Sequence, residues 1–376
     1  MPEAEIPKVL NSIFTNSGSQ LFYLIENADR KVWMIPDINC SVALQIYQPS
    51  NLNGKLLKSC FPVIKRFAFV RYALGISVHK YGIQPFLFDF LCKLYKVKNV
   101  EIALFCGTPS VHQKITMQVT DGSKILGYCK ISDKEEVKAL FQHKESILKT
   151  LYDEGITNIP QCFYNGVLQD ETHIFVQTSA KTKNSKVLHQ LSAIHWNFLN
   201  HLHQKTKKSL PFEETDFYQA LQLLKGNLTR CPSVDISGVT LAITRAEEFY
   251  KGKQVEFSFY HSDFTPWNMF VEKGELFVFD WEYAKRTFPP FLDAFHFFTQ
   301  VCIFEQHKNA EAIMAVYRAG RNIFSKYFDN PDFSYQCYLL SIISFYLDRD
   351  NDFLSKETSD NIKIWTALLQ LLQKQM

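Results

Sequence analysis

The segment His261-Ser262-Asp263-Phe264-Thr265-Pro266-Trp267-Asn268 gathers a histidine, an aspartate and an asparagine, and Asp280 follows Asn268 by twelve residues in Phe279-Asp280-Trp281-Glu282. Moving a phosphoryl group from a nucleotide to an alcohol requires a carboxylate that orients or deprotonates the hydroxyl. It also requires oxygen ligands for Mg²⁺ on the donor phosphates. Asp263, Asn268 and Asp280 are residues of that kind. Their spacing predicts Asp263 on a loop leaving a strand, Asn268 opening the next strand and Asp280 ending its partner, so that all three face one cleft.

The donor phosphates also need a cation, usually a lysine on a third strand fixed by a glutamate on the following helix. Gly127-Tyr128-Cys129-Lys130-Ile131 puts Lys130 on such a strand, and His143-Lys144-Glu145-Ser146 puts Glu145 on the next helix. Upstream, Phe105-Cys106-Gly107-Thr108-Pro109-Ser110 has the character of a phosphate-covering turn, with Gly107 and Ser110 as its small residues. Residues 175–180 would offer backbone groups to the purine edge.

These residues need scaffolding. Residues 20–26 and 31–35 read as a hairpin, 42–47 as a further strand, and 56–74 and 85–95 as helices, with Pro62 a break or kink in the first. From residue 100 the pattern is β-prone at 101–105, 114–120 and 125–131, with Asp121-Gly122 as a turn. A helix over 134–152 opens with acidic Glu135 and Glu136, and strands follow at 162–168 and 173–177. Beyond residue 180 the pattern is helical over 188–204, 212–224 and 240–250. A β island at 255–260, 268–271 and 275–279 interrupts it, and further helices run from 291 to the end. The resulting partition is an α+β segment over 1–95, a small β-rich lobe over 96–180 and a large helical lobe over 181–376.

Composition narrows the classes. The 376 residues are 46% hydrophobic and 15% aromatic, enough for a large core. A net charge of +3 from 41 basic and 38 acidic residues gives no global case for nucleic-acid binding. Nine scattered cysteines without a C-x-x-C pair argue against a disulfide framework or zinc cluster and fit a reducing compartment. The N-terminus lacks a secretory pattern and no apolar run reaches the length of a membrane span, so the expectation is a cytoplasmic protein. No Walker A motif is present. His189, His195, His201 and His203 fall in one stretch without the H-E-x-x-H pattern and read as core or surface histidines. The basic-aromatic residues 55–71 read as packing against the small lobe, with contact to an anionic membrane surface or to an acidic substrate as the alternatives.

The H-x-D-x-x-x-x-N loop followed by F-D-W-E resembles the aminoglycoside phosphotransferase and choline kinase family, whose protein-kinase relatives carry H-R-D-x-x-x-x-N and D-F-G. The resemblance covers residues 100–300. It implies a two-lobed protein-kinase-like α+β fold, with Asp263 as catalytic base, Asn268 and Asp280 as Mg²⁺ ligands, and His261 bracing the loop. Glu282 and Asp293 would support that loop. Lys130, braced by Glu145, would hold the donor together with Gly107 and Ser110. The activity implied is transfer of a γ-phosphoryl from ATP or GTP to a hydroxyl of a small polar or sugar-like acceptor. Phe105–Ser110 departs from the family pattern in having one glycine where protein kinases have three. That departure motivates a second reading, a catalytically silent kinase fold that binds nucleotide or a partner. A third is a kinase acting on protein or on a glycolipid at a membrane.

Overall fold

The computed structural model describes residues 8–27, 30–49, 52–107, 113–169, 171–230, 234–349 and 354–374. It divides into two compact units, the first comprising Met1–Asp153, Thr157–Lys186 and Phe270–Glu282, the second the remainder.

The first unit is built on an eight-stranded antiparallel sheet. Its strands are β1 (Phe14–Glu26), β2 (Val32–Pro36), β3 (Ser77–Ile83), β4 (Glu101–Phe105), β5 (Ile115–Asp121), β6 (Lys124–Ser132), β7 (Cys162–Gln169) and β8 (Thr172–Thr178). They lie in the order β3-β1-β2-β4-β5-β6-β8-β7. The segment 1–95 is therefore continuous with the five strands that follow it, since β2 pairs with β4 through Trp33 opposite Phe105 and Met34 opposite Leu104. One face buries Phe14, Phe22 and Met34 with Ile102, Leu104, Met117, Val119 and Cys129 in a single core, closed by Leu87 and Leu91 of helix α4 (Pro85–Tyr95).

The other face holds Tyr23, Trp33 and Ile35 against Phe61 of helix α2 (Leu52–Ile64). Residues 42–47, read as a strand, instead form the short helix α1 (Cys40–Ala43) and a 3-10 turn, Leu44–Ile46. Their β-branched composition is overridden by burial, because Ala43, Leu44 and Ile46 all enter this core. Helix α2 runs through Pro62 and stops two residues later; α3 (Ala68–Ala73) follows it. Helix α5 (Glu135–Asp153) packs a stripe of Val137, Phe141, Ile147, Leu148 and Leu151, the spacing of a single helix face.

The second unit is mainly helical. It opens with α6 (Ala193–Thr206), β9 (Lys208–Pro211), α7 (Asp216–Asn227), α8 (Ile236–Tyr250) and β10 (Gln254–Tyr260). After β10 the chain forms a loop and then leaves this unit for the hairpin β11 (Met269–Glu272) and β12 (Glu275–Val278), which from Phe270 belongs to the first unit. Strand β13 (Lys285–Phe288) and helices α9 (Leu292–Gln300), α10 (Ala310–Phe324), α11 (Pro331–Arg349) and α12 (Lys356–Gln373) complete the second unit. Strands β9 and β13 flank β10, and neither is evident in the sequence because each has only four residues. His189 precedes α6 rather than joining it, while His195 caps that helix by accepting the Ser192 amide at 3.1 Å. Phe295 stacks between Phe324 at 4.6 Å and Tyr335 at 4.9 Å, tying α9 to α10 and α11. Among the described residues no helix is long and apolar enough to cross a membrane.

Candidate functional site

In the second unit, β10 delivers the chain into the loop at His261. Phe264 anchors this loop, packing on Phe198 of α6 and Phe297 of α9. Asp293, at the start of α9, fixes its first turn by accepting the His261 amide at 2.8 Å and the Ser262 amide at 3.2 Å. Burial pushes the Asp293 carboxyl up to about 8 even though both amides favour its ionised form. Ser262 is held at φ 69°, a left-handed conformation that is strained for a residue with a Cβ. Such strain persists only where the surroundings impose it. The consequence is that the next residue, Asp263, turns out of the core: its side chain is 37% exposed while His261 is fully buried.

The Asp263 amide donates to His261 Nδ1 at 3.2 Å, which assigns the imidazole proton to Nε2. Asn268 Nδ2 donates to the Asp263 carbonyl at 3.0 Å and to its Oδ2 at 2.7 Å. His296 Nε2 of α9 lies 3.4 Å from Asp263 Oδ1. The Asn268 amide thus fixes one carboxylate oxygen, while the His296 imidazole lies beside the other without a hydrogen bond. Asn268, expected to open a strand, sits in the 3-10 turn Pro266–Asn268 just before β11. Because its amide nitrogen faces Asp263, its carbonyl oxygen is left without a donor among the described residues.

The first unit carries a separate charged cluster. Lys130 on β6 pairs with Asp280 and, at 2.9 Å, with Glu282; Lys114, just before β5, also pairs with Glu282. Lys144 on α5 has its ammonium 3.5 Å from Asp280 Oδ1 and 5.0 Å from the centre of the Phe175 ring. Three ammonium groups therefore surround two carboxylates, and Asp280 itself sits at φ 73°. Burial alone would lower Lys130 and raise Asp280. Their mutual attraction outweighs it, so Lys130 is raised and Asp280 is held well below the usual carboxylate range. Burial lowers Lys114, and it pushes Lys144 down to about 7 with help from the like charge of Lys130. Lys144 is 0% exposed and its Nζ has no hydrogen-bond partner.

Two expectations change here. Glu145 does not brace Lys130: it is exposed on α5 and accepts a hydrogen bond from Asn165 at 2.8 Å. Glu282 is a counter-ion of Lys114 and Lys130 rather than a support of the 261–268 loop. The helix phase explains the first difference, since Lys144 falls in step with Val137, Phe141, Leu148 and Leu151 whereas Glu145 lies about a fifth of a turn off the centre of that stripe. A lysine at an apolar-stripe position was the available signal. Lys114 and His296 carried none. Gly107, buried after β4 at φ 75°, has no room for a Cβ, which would meet the Lys114 carbonyl oxygen. Ser110 lies outside the described residues.

The structure thus joins Asp263 to Asn268 in one unit and Lys130 to Asp280 in the other. No family model and no curated protein matches the chain. Among solved structures, a thermostable mutant of the aminoglycoside phosphotransferase APH(4)-Ia in its apo form is similar with a TM-score of 0.51. The alignment has 11% identity and covers 77% of this chain and 98% of that one. The same protein in ternary complex with ADP and hygromycin B gives a TM-score of 0.50 at the same identity and coverage. A likeness at this identity is one of fold, and the fold of this chain is the protein-kinase-like α+β fold of the aminoglycoside phosphotransferases.

Proposed function

We propose that the chain is a nucleotide-dependent phosphotransferase that moves a γ-phosphoryl group to a hydroxyl of a small polar or sugar-like acceptor. The observation that carries this reading is the presentation of Asp263 after β10, turned outward by the strained Ser262 and held by the Asn268 amide. A carboxylate fixed by an amide on one oxygen and approached by an imidazole on the other is suited to orient an alcohol and accept its proton. Positioning and electrostatics supply most of the catalysis in this reaction class, because the transferred phosphoryl is loosely bonded in the transition state. Lys130, Lys114 and Lys144 are the cations for the donor phosphates, with Gly107 at the covering turn. Lys144 would regain its full charge as an anionic phosphate approaches, which converts a poorly solvated amine into a contact that strengthens on binding.

Asn268 and Asp280 suit Mg²⁺. Asn268 has a free carbonyl oxygen, Asp280 has one carboxylate oxygen outside its lysine contacts, and hard oxygen donors from one or two side chains are what this ion takes when phosphates complete its shell. Mg²⁺ would neutralise charge on the transferring group. ATP and GTP are both candidate donors. That the similar structure is a ternary complex with ADP and hygromycin B supports a nucleotide donor and a small-molecule acceptor.

The test is the thermal midpoint of the purified protein with ATP or GTP, each with and without Mg²⁺, in the wild type and Asp280→Ala. Ligand bound by the folded state raises the midpoint by mass action. A Mg²⁺-dependent rise lost in the variant is the expected result, and its absence with either nucleotide would overturn the proposal.

A further inference from the structure

The stretch between Asp37 and Asp89 contains Lys55, Lys58, Lys65, Arg66, Arg71 and Lys80 and not one acidic residue, in a chain whose overall charge is only +3. Among the described residues, the most exposed bulky apolar side chains lie in the same stretch. Leu52 is 82% exposed, Phe69 82% and Tyr72 86%, and Leu56, Val63, Phe67 and Leu74 are each at least half exposed. Large apolar side chains standing this far into solvent, clustered and ringed by charge, mark an interaction surface.

The local architecture shows that this exposure is not a by-product of packing. Helix α2 already has a buried side, where Gly54 and Phe61 are covered and Leu57 and Ile64 press on the core. Leu52, Leu56 and Val63 fall on its opposite side at helical spacing, so the helix is apolar on two faces and only one is used. Helix α3 has no buried residue at all, although its six residues are Ala68-Phe69-Val70-Arg71-Tyr72-Ala73. The inner cations are spent internally: Lys58 donates to the Tyr47 carbonyl at 2.7 Å, Lys65 pairs with Asp37, and Arg71 donates to the Lys65 carbonyl. Lys55, Arg66 and Lys80 are exposed and take no ion pair among the described residues.

We propose that the outer face of α2 and α3 is a docking surface for a bilayer rich in anionic phospholipid, with Leu52, Leu56, Val63, Phe69 and Tyr72 entering the interface and Lys55, Arg66 and Lys80 facing the headgroups. Charge complementarity selects this occupant. A second copy of the chain would set like charges against each other with no carboxylate on the face to pair them. A nucleic acid would draw on the cations but give aliphatic Leu52, Leu56 and Val63 no base to stack on. A bilayer satisfies both sets, taking apolar side chains into the acyl boundary and basic ones at its surface. The proposal is independent of the phosphotransferase reading.

The experiment is sedimentation of the full chain with vesicles of phosphatidylcholine alone and of phosphatidylcholine with roughly one third phosphatidylglycerol. Binding to the anionic vesicles only, weakening as salt rises, is expected. Lys55→Gln/Arg66→Gln/Lys80→Gln should weaken it about fivefold per charge removed, on the order of a hundredfold together. Phe69→Ser/Tyr72→Ser should weaken it roughly tenfold or more, and because both side chains are exposed the variant keeps the wild-type thermal midpoint. No sedimentation with anionic vesicles at low salt overturns the proposal. So does equal retention of the Phe69→Ser/Tyr72→Ser variant, or tighter capture by double-stranded DNA that only the charge variant abolishes. Self-association with loss of vesicle binding would assign the face to a second copy.

Discussion

Replacing Lys144 by methionine should stabilise the protein near neutral pH while weakening its hold on nucleotide. The side chain is fully buried, lacks a hydrogen bond, and has its ammonium lowered from an ordinary 10.5 to about 7. A folded-state value below the unfolded one means that the unfolded chain binds the proton more tightly, so this lysine opposes folding where the proton is present. Stability then rises with pH between about 7 and about 10.5. At about 1.4 kcal/mol per tenfold, the opposition is on the order of 4 kcal/mol at neutral pH and falls by about 3 kcal/mol by about pH 10. Methionine fills a similar volume without a charge and leaves Lys130 and Lys114 facing Asp280 and Glu282 in balanced number. The assay is urea unfolding of wild type and Lys144→Met at a series of pH values across that window. Lys58 and Lys181 titrate there too, and tyrosines and cysteines whose buried forms are raised by desolvation do so once unfolded, but all are common to both proteins and drop out of the difference. The stability gain should shrink as pH rises. A difference that is flat across the window, or a variant less stable throughout, would refute the reasoning.

Asp263→Ala should lower turnover by roughly 10² to 10⁴, the usual loss for a general base, and unchanged turnover would remove the assignment. Asp293→Ala, which strands two loop amides, should destabilise by about 2 to 4 kcal/mol in urea unfolding. Asp293→Asn should cost less. The folded carboxyl keeps its proton up to about 8 while the unfolded one releases it near 3.8, so Asp293→Asn should also remove a decline in stability as pH rises between those values. Gly107→Ala forces a Cβ into a left-handed residue against the Lys114 carbonyl; a loss of at least about 1 kcal/mol is expected in the same assay.

What the sequence revealed and what it hid follow from the range of the interactions involved. The loop at 261–268, strands β4 to β8 and helix α5 are legible because local period and turn chemistry agree with the fold, as at Asp121-Gly122 between β5 and β6. Asp263 and Asn268 are five residues apart, and a loop that short holds them together. The partner of Lys130 was harder, because choosing between Glu145 and Asp280 depends on which side of α5 faces the sheet. Neighbours 144 and 145 point a quarter-turn or so apart, and the residue type alone favoured the wrong one. Residues 42–47 and the four-residue strands β9 and β13 depend wholly on tertiary contacts. The pairing of β2 with β4 joins residues about seventy apart in sequence, which no periodicity reports.

The lysine cluster also dictates an order of events during synthesis. Lys114, Lys130 and Lys144 are all made well before residue 187, yet their carboxylates arrive only with Phe270–Glu282, after the intervening stretch has been translated. Asn158 is the receiving point, accepting the Val278 amide at 3.2 Å and donating to the Leu276 carbonyl at 2.7 Å. Until that hairpin docks, the sheet can form through its sequence-near strand pairs, but it must hold three cations without counter-ions in its interior. A nascent chain should therefore keep α5 loosely attached and complete this unit late, and a fragment ending at Lys186 should not reach a native state by itself.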